Sequence, residues 1–331
     1  MEPNGTLFLG LSDVARLLTL RDCIEAVEEI FHLQGEGKTA PSQILNVKAA
    51  AGGLHVKAGL LPRDTSYIVA KLNSNFPNNR TRFNRPTIQG LIAIFDAENG
   101  SPLAILDSMD VTIKRTAAAS AVAAKYLARI NSSVGTVCGC GQQGRAQLRA
   151  IRTVLPLQEV YAFDSNFEAA RIFAAELSHE LKIDVEAVHN PNAAIRRSDV
   201  LVTSTTATGF FVHKEDVPDG AFIAAVGADD THKQELDPAL MASAKVVADS
   251  LEQSCTIGDT HHAIAKGLMS KENVYADLGE IVAGKKSGRV SDNEIIIFDS
   301  TGIAIEDAAA AALVYAKASA RGIGNRFAFA A

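Results

Sequence analysis

The sequence lacks the features that mark several classes of protein. No uninterrupted apolar run reaches the ~18 residues that a transmembrane helix needs. Residues 1–5 contain no charged segment leading into an apolar one, so we predict no secretory signal and expect a cytoplasmic location. The net charge is −6, and the basic doublets Arg196-Arg197 and Lys285-Lys286 are isolated, as is typical of solvated surface. The composition therefore argues against membrane insertion and nucleic-acid binding.

Cysteine is also scarce. The four cysteines, Cys23, Cys138, Cys140 and Cys255, form no Cys-x-x-Cys pair. This pattern is not a disulfide framework and fits a reducing compartment. Cys138 and Cys140 flank a glycine, and we interpret them as small apolar side chains in a tight turn rather than as a metal or redox site.

The remaining patterns divide the chain into two regions. Its 331 residues, 47% of them hydrophobic, are enough for about two domains. The first region is predicted to be α+β, because helical patterns beginning at residues 11 and 19 precede strand-like runs at 43–48, 54–58, 67–71, 87–96 and 102–106. Asn99-Gly100 predicts a hairpin between the last two runs.

Strands and helices alternate in the second region. A strong helix-forming segment at 112–128 leads into it. Apolar strand candidates follow at 135–138, 160–163, 200–204, 222–226, 245–248 and 294–298, and a final helix is predicted at 305–320. This alternation predicts an α/β domain with a doubly wound parallel sheet.

A glycine motif follows the first strand of that sheet. The apolar run 134–138 leads directly into Gly139, Gly141 and Gly144, and a helical pattern continues from there. The three glycines allow a tight turn, close approach of a pyrophosphate to the backbone, and close packing of helix on strand. The helix N-terminus adds free N–H groups and partial positive charge. We therefore predict a dinucleotide-binding Rossmann domain.

An acidic residue accompanies the motif. The next strand ends in Asp164, twenty residues after Gly144 (164 − 144 = 20), near the offset of the ribose-binding acid of Rossmann domains. A carboxylate there accepts hydrogen bonds from the ribose hydroxyls and repels a 2′-phosphate, and no arginine follows at once to hold one. NAD(H) is favoured, and NADP(H) is the alternative. A strand-ending aspartate that only starts a turn is the other interpretation.

Two further strand ends carry polar residues. One candidate strand ends in the run 203–206 and the next in 226–230, which includes Asp229. Strand ends beyond the point where the strand order reverses line the nicotinamide side of such domains, so Asp229 is placed to meet a substrate. The alternative is an ordinary turn carboxylate.

Several strings in the sequence, in the same order along almost the whole chain, resemble the ornithine cyclodeaminase/mu-crystallin family. They lie at 69–71, 75–78, 85–87, 114–120, 139–144, 226–229, 233–237 and 299–302. The resemblance implies a Rossmann domain of residues 121–302 inserted into an α+β domain formed by 1–120 and 303–331. It also implies that the second domain binds substrate and makes a homodimer. Members include cyclodeaminases, amino-acid dehydrogenases, reductases of cyclic imino acids and a hormone-binding crystallin.

The resemblance also implies roles for individual residues. Lys71 is similar to the lysine of the family's substrate pocket and Asp229 to the catalytic acid/base, so both are predicted to be catalytic. Arg115 is similar to the arginine that reaches substrate carboxylate and cofactor. Besides the three glycines, the positions that match cofactor contacts are Thr87, Gln142, Gln143, Asp164, Thr205, Val226 and Ser300.

Two positions depart from the family pattern. Gln43 stands where many members have a carboxylate-binding arginine, and Lys57-Ala58-Gly59 stands where many have Met-Pro-Ala. The positive charge is thus predicted to move from one neighbouring strand to the other. Gln43 and Lys57 are both candidate substrate-binding residues, although a glutamine makes no bidentate ion pair and Lys57 has the alternative of pointing outward.

These observations favour an NAD(P)H-dependent reductase of ketimines or cyclic imino acids, for example Δ1-pyrroline-2-carboxylate to L-proline, or equivalently an L-amino-acid dehydrogenase. The expected partner is a small imino or amino acid. No metal is expected, because the adjacent His261 and His262 point to different faces. The alternatives are an ornithine cyclodeaminase that recycles its NAD and a crystallin-like binding protein without turnover.

Overall fold

The computed structural model describes residues 5–62 and 65–328. Its strands, numbered in chain order, are β1 (Thr6–Leu9), β2 (Gln43–Ala49), β3 (Gly52–Leu61), β4 (Tyr67–Asn75), β5 (Ile88–Asp96), β6 (Pro102–Asp107), β7 (Val134–Cys138), β8 (Glu159–Phe163), β9 (Asp184–Ala187), β10 (Val200–Thr203), β11 (Thr208–Val212), β12 (Phe222–Ala225), β13 (Gln234–Leu236), β14 (Lys245–Ala248), β15 (Ala276–Asp277), β16 (Ile296–Asp299) and β17 (Asn325–Phe327).

The α-helices are α1 (Leu11–Leu17), α2 (Leu20–Gly35), α3 (Asn79–Phe83), α4 (Met109–Leu127), α5 (Gln142–Val154), α6 (Phe167–Leu181), α7 (Asn192–Ile195), α8 (Pro238–Ser243), α9 (Leu251–Ser254), α10 (Asp259–Ala265), α11 (Leu278–Val282) and α12 (Ala304–Arg321), and short 3-10 helices lie at Lys214–Asp216 and Lys271–Asn273. Within the described ranges, none of these helices is long and apolar enough to cross a membrane.

The chain forms two compact units. The first comprises Met1–Arg115 and Ile303–Ala331, and the second comprises Thr116–Gly302. The chain passes from one unit to the next within α4 and again just before α12. The sequence places the first of these boundaries at residue 120 and the second at 302.

The first unit is built on a mixed sheet in the order β17-β1-β6-β5-β4-β3-β2. Its strands are antiparallel except for β1 and β6, which run parallel. One face is covered by α12 and carries the buried side chains Val69, Ile92 and Ile94. Side chains alternate between the faces of a strand, so the intervening residues of β3, β4 and β5 lie on the opposite face.

The second unit is a Rossmann-type layer structure. Its sheet has the order β15-β14-β16-β12-β10-β7-β8-β9, and all its strand pairs are parallel. The central strands β10, β12 and β16 are buried along their whole length, which explains their unbroken apolar sequences. The carboxyl ends of all these strands lie along one edge, where the predicted site residues of this unit are found.

The predicted α/β class with its parallel sheet is confirmed. The hairpin signalled by Asn99-Gly100 joins β5 and β6, but through residues 97–101 rather than a two-residue turn. Gly100 adopts φ +75° and its N–H donates to the Asp96 carbonyl at 3.0 Å. The sequence patterns miss the short strands β1, β9, β11, β13, β15 and β17, since two to five residues are too few to show a period.

Candidate active site

A cluster of charged side chains lies on the covered face of the sheet in the first unit. It consists of Lys57, Lys71, Arg115, Glu306 and Asp307, called the ion cluster below. Lys57 on β3 is the direct cross-strand partner of Lys71 on β4. Like charges directly opposite each other destabilise a sheet, so this pair requires carboxylates nearby. The start of α12 supplies them, and acids at that position also favour the helix dipole.

The cluster is closed by short ion pairs. Lys71 Nζ lies 2.7 Å from Asp307 Oδ2, and Arg115 Nε lies 2.9 Å from Asp307 Oδ1. Arg115 Nη1 lies 2.8 Å from Glu306 Oε2. Each of these side chains is at most 6% exposed, so the charges are held in a site that largely excludes water. Electrostatic attraction is stronger there than at the surface.

The burial changes the protonation of the cluster. Desolvation lowers the pKa of Lys71 to about 7, although the Asp307 carboxylate opposes it, and the positive charges of Arg115 and Lys57 add to the lowering. Burial alone would raise the pKa of Asp307, but Arg115 and Lys71 hold it below its usual range. Lys71 can therefore gain or lose a proton near neutral pH while Asp307 stays ionised.

The charges of the ion cluster do not cancel. Three cations and two carboxylates leave a net charge of +1 when Lys71 is protonated (3 − 2 = 1). A cluster this poor in water is neutralised best by a ligand with one negative charge. A single carboxylate matches both that charge and the planar donor geometry of Arg115.

Gln43 is not brought to the ion cluster. It pairs with Ala58, which is next to Lys57 on β3, so strand alternation places it on the opposite face from Lys57 and Lys71. Gln43 is exposed, and its Nε2 donates to the Pro41 carbonyl at 3.4 Å. The charge at Lys57 therefore does not replace a group at position 43 on the same surface, and the sequence interpretation that linked the two positions is corrected.

The glycine turn in the second unit has the geometry that a dinucleotide requires. Gly139 adopts φ +100°, and a Cβ on it would lie 2.6 Å from the Ser204 carbonyl oxygen. A Cβ on Gly144 would lie 1.9 Å from the Gly139 oxygen. A Cβ on Gly141, the N-cap of α5, would meet no protein atom within 4 Å, and no side chain caps the helix there. The turn thus leaves open space before free N–H groups.

Other predicted cofactor residues surround this turn. Asp164 Oδ2 accepts the Cys140 N–H at 2.9 Å, which joins the end of β8 to the turn. Gln142 is exposed at the start of α5. The Nε2 atom of Gln143 is buried and has no hydrogen-bond partner among the described residues. A buried donor without a partner beside an open cradle fits a bound polar ligand.

Asp229 follows β12 and is an exposed acid at the edge where the strands of the second unit end. Its side chain is 54% exposed, and its Oδ1 lies 2.6 Å from Lys233 Nζ. Burial alone would disfavour the charged amine, but Asp229 and Asp230 outweigh it and raise the pKa of Lys233. His262 Nε2 lies 2.8 Å from the Lys233 carbonyl oxygen and fixes the backbone of the same segment.

The remaining predicted cofactor contacts are one residue of the first unit and three of the second. Thr87 in the first unit accepts the Phe76 N–H at 2.9 Å through its carbonyl. Thr205, Val226 and Ser300 follow β10, β12 and β16 in the second unit, so parallel pairing brings them to the same sheet edge. Val226 and Ser300 are nearly buried.

Beneath these strand ends lie the fully buried carboxyl groups of Glu235, Asp259 and Asp299. Glu235 binds the loops after β10 and β12, and Asp259 Oδ1 accepts the N–H groups of Glu235 and Leu236 at 2.9 Å. Burial raises the pKa of each carboxyl group, that of Asp299 to about 6, and repulsion from neighbouring carboxylates adds to the rise for Asp259 and Asp299. These groups are held by N–H and hydroxyl donors.

The raised pKa of Asp299 predicts a pH-dependent stability effect. The folded chain keeps a proton that the unfolded chain, with a pKa near 3.8, releases, so this contribution to stability is lost as the pH rises through about 6. D299N cannot titrate, and its amide oxygen still accepts from Thr260. We expect D299N to gain stability relative to the parent between pH 5 and pH 8, by roughly 1.4 kcal/mol, because only the last pH unit of the shift lies in this window.

Chemical unfolding of the two proteins at pH 5 and pH 8 measures this difference. D292N, the same change at an exposed aspartate, is the matched control and should show none. Equal differences between D299N and the parent at both pH values would contradict the prediction.

Glu306, Asp307, Glu235 and Lys233 have no assigned role in the sequence analysis. The sequence did contain a signal for Glu306 and Asp307, since two adjacent acids in an otherwise Ala-rich, buried helix need cations nearby. Glu235 lies on a strand of three residues, too short to be recognised. Nothing in the local sequence connects it to Thr205, 30 residues earlier.

Comparison with known proteins agrees with this geometry. The profile of the ornithine cyclodeaminase/mu-crystallin family matches residues 5–322. Alanine dehydrogenase of Archaeoglobus fulgidus is 39% identical over 324 residues, 98% of each chain. A solved archaeal alanine dehydrogenase dimer with bound NAD has a TM-score of 0.94 at 38% identity, covering 98% of this chain and 99% of that one.

A second solved structure gives the same result. Thermococcus litoralis Δ1-pyrroline-2-carboxylate reductase, in complex with NADH and L-proline, has a TM-score of 0.92 at 34% identity, covering 97% of this chain and all of the other. The family resemblance inferred from the sequence motifs is thereby confirmed. The chain belongs to the ornithine cyclodeaminase/mu-crystallin family.

Proposed function

We propose that the protein is an NAD(H)-dependent oxidoreductase that reduces the C=N bond of small 2-imino acids and, in reverse, oxidises L-amino acids. The observation that carries the proposal is the buried ion cluster with its net charge of +1, in a chain that also has a complete glycine turn. The named activities of the relatives, on alanine and on pyrroline-2-carboxylate, support the same chemistry. The preferred substrates are monocarboxylates, because one carboxylate neutralises the cluster in the form in which Lys71 is protonated.

The glycine turn and Asp164 are the proposed dinucleotide site. Backbone N–H groups at Gly141 and the start of α5 would hold the pyrophosphate, and the Asp164 carboxylate would accept the ribose hydroxyls. Gln142, Gln143, Thr205, Val226, Ser300 and, in the first unit, Thr87 are the further proposed contacts. The bound dinucleotide supplies the hydride. Since a 2′-phosphate would meet the Asp164 charge, NADH is expected to be preferred over NADPH.

The ion cluster is proposed to bind the substrate carboxylate. Arg115, whose Nε and Nη1 also pair with Asp307 and Glu306, brings a planar guanidinium held in place, and Lys57 and Lys71 add positive charge. A charged lysine close to a protonated imine would repel it. The lowered pKa of Lys71 removes this conflict, because its amine can be neutral and still donate a hydrogen bond. With Lys71 neutral the cluster carries no net charge (2 − 2 = 0), and Arg115 and Lys57 remain as the cations that attract the carboxylate.

Asp229 is proposed to handle the proton on nitrogen. Its carboxylate is exposed and oriented by Lys233, so it can stabilise an iminium N–H and exchange protons with water. Replacing it by asparagine (D229N) keeps the shape but removes the charge and the proton acceptor. We expect D229N to lower kcat at least about 100-fold, with little change in NADH affinity.

Steady-state oxidation of NADH with Δ1-pyrroline-2-carboxylate, and with pyruvate plus ammonia or methylamine, tests both the function and this role. D230N, a change at the neighbouring aspartate, is the control. Silence of the parent toward all these substrates would overturn the proposed function. Release of ammonia and proline from ornithine without a net absorbance change would instead identify a cyclodeaminase, and tight NADH binding without any turnover would identify a binding protein.

We also propose that the protein is a homodimer through the sheet face opposite the ion cluster. Strand alternation places five aliphatic side chains on this face, each 38–60% exposed: Leu45, Val47, Leu60, Ile68 and Leu91. A contiguous apolar surface of this kind is typical of an interface. A second copy is the proposed occupant, since a structure that covers 98% of this chain is described as a dimer.

A double change, I68E with L91E, is expected to convert the dimer into monomers, because two carboxylates would be buried without partners on each side. Sedimentation velocity measures the oligomeric state. I172E, a change at a similarly exposed isoleucine on α6, should leave the dimer intact. A parent that sediments as a monomer, or a double variant that stays dimeric, would contradict the proposal.

A further inference from the structure

We propose that Glu235 is a positioning residue that holds the loops bearing Thr205 and Asp229 in their active arrangement. The inference rests on the proposed function and deepens it. Glu235 is fully buried on β13, so it does not reach a substrate itself. Its effect must pass through the groups that it binds.

Glu235 joins two loops that follow different strands. Its Oε1 accepts the Thr205 N–H at 2.6 Å and the Thr205 Oγ1 hydroxyl at 2.7 Å, and its Oε2 accepts the Gly227 N–H at 2.8 Å. Thr205 begins the loop after β10, and Gly227 lies two residues before Asp229 in the loop after β12. One carboxylate thus fixes both strand ends.

The packing requires this arrangement. A Cβ on Gly227 would lie 2.4 Å from the carboxyl group of Glu235, so only glycine lets the loop approach so closely. Lys233, two residues before Glu235, pairs with Asp229 at 2.6 Å. The segment 233–235 therefore holds Asp229 from two sides, through its backbone at Gly227 and through its side chain at Lys233.

A carboxylate suits this position better than an amide does. Both carboxylate oxygens of Glu235 accept hydrogen bonds, which come from two N–H groups and one hydroxyl. Glutamine would present an NH₂ group to at least one of these donors, and that loop would have to move. Because the loops carry the function, the change should affect activity more than the fold.

The test compares E235Q with the parent and with D216N. Asp216 is also a buried carboxylate of the second unit, and it pairs with Arg196 at 2.5 Å, away from these loops, so D216N controls for general destabilisation. We expect E235Q to lower kcat at least about 30-fold and to weaken NADH binding at least about fivefold. The KM for the imino acid should change less than threefold, because the ion cluster holds its carboxylate.

T205V and the combination of E235Q with D229N provide two further tests of the positioning role. T205V removes the hydroxyl that donates to Glu235 and accepts the Ala207 N–H, and it should weaken NADH binding in the same direction but less. The effects of E235Q and D229N on kcat should be clearly less than additive, because both act through Asp229. Additive effects, or equal losses of kcat in E235Q and D216N, would overturn the proposal.

The NADH measurement separates this inference from the proposed function. Fluorescence titration with NADH needs no turnover, so it remains informative when the parent reduces no imine. In that case the function fails, and Glu235 is still judged by whether E235Q, unlike D216N, weakens NADH binding. If E235Q binds NADH as tightly as the parent does, the positioning role is wrong.

Discussion

R115A is expected to lower kcat/KM for imino acids by about 1,000-fold or more, since a charge-assisted pair to a carboxylate in a dry site is worth several kcal/mol. The change removes the planar donor pair and reduces the net charge of the ion cluster from +1 to 0. It also removes the buried ion pairs of Arg115 with Glu306 and Asp307, and breaking a buried pair from one side typically costs about 3–5 kcal/mol of stability. Both activity and Tm should therefore fall.

The two consequences can be separated by restoring the charge balance. In R115M/E306Q the cluster has two lysines and one carboxylate, so its net charge returns to +1 (2 − 1 = 1) and no buried carboxylate lacks a partner. We expect this double variant to recover most of the lost stability but little of the activity, because the donor pair of Arg115 is still missing. K125A, a change at an exposed lysine of the same helix, is the control. Activity of R115A within threefold of the parent would exclude the proposed carboxylate site.

The second large effect is expected from a pair of glycine substitutions in the cofactor turn. Gly141 has φ −79° and ψ −164°, which alanine adopts without strain, and its Cβ would meet no protein atom within 4 Å. G141A should therefore fold with a loss of less than about 1 kcal/mol. Its methyl group would occupy the space proposed for the pyrophosphate, so we expect NADH affinity to fall at least about 30-fold.

G144A should behave in the opposite way. The Cβ of alanine at position 144 would lie 1.9 Å from the Gly139 carbonyl oxygen. That oxygen belongs to the backbone and cannot rotate away as the end of a side chain could. We expect a loss of at least about 2 kcal/mol in unfolding free energy, because helix and turn must separate. Thermal unfolding with and without NADH distinguishes the two variants: G141A melts like the parent without NADH but is no longer stabilised by it. Tight NADH binding by G141A would place the dinucleotide elsewhere.

The glycine turn could be predicted from the sequence because its information is local. A strand, three glycines and a helix lie within residues 134–154, and each obeys a rule of short range. Asp164 follows at a fixed distance along the chain. The same reasoning predicted most of the long strands and helices, since a period becomes visible over enough residues.

The ion cluster and Glu235 depend on contacts that no local rule reveals. Arg115 and Glu306 are 191 residues apart, and their contact exists only when α12 packs on the sheet. For Gln43 the sequence predicted a contact that the structure does not have. Its strand is next to the one that carries Lys57, but the register places its side chain on the other face of the sheet. A shift of one residue in strand pairing decides which face of the sheet a side chain occupies, and composition carries no information about that shift.

The contact between the start and the end of the first unit also determines when that unit can be completed. Strand β1 pairs with β17, with Thr6 opposite Phe327, and the acids at the start of α12 neutralise cations far earlier in the chain. During synthesis, residues 116–302 are therefore all available before the first unit has its last strand and its acids. Domains commonly fold from the N-terminus onward as they are made. Here the middle of the chain can fold first, and the ribosome must finish the final helix and strand before β1 gains its second neighbour and the cations of the ion cluster gain their acids.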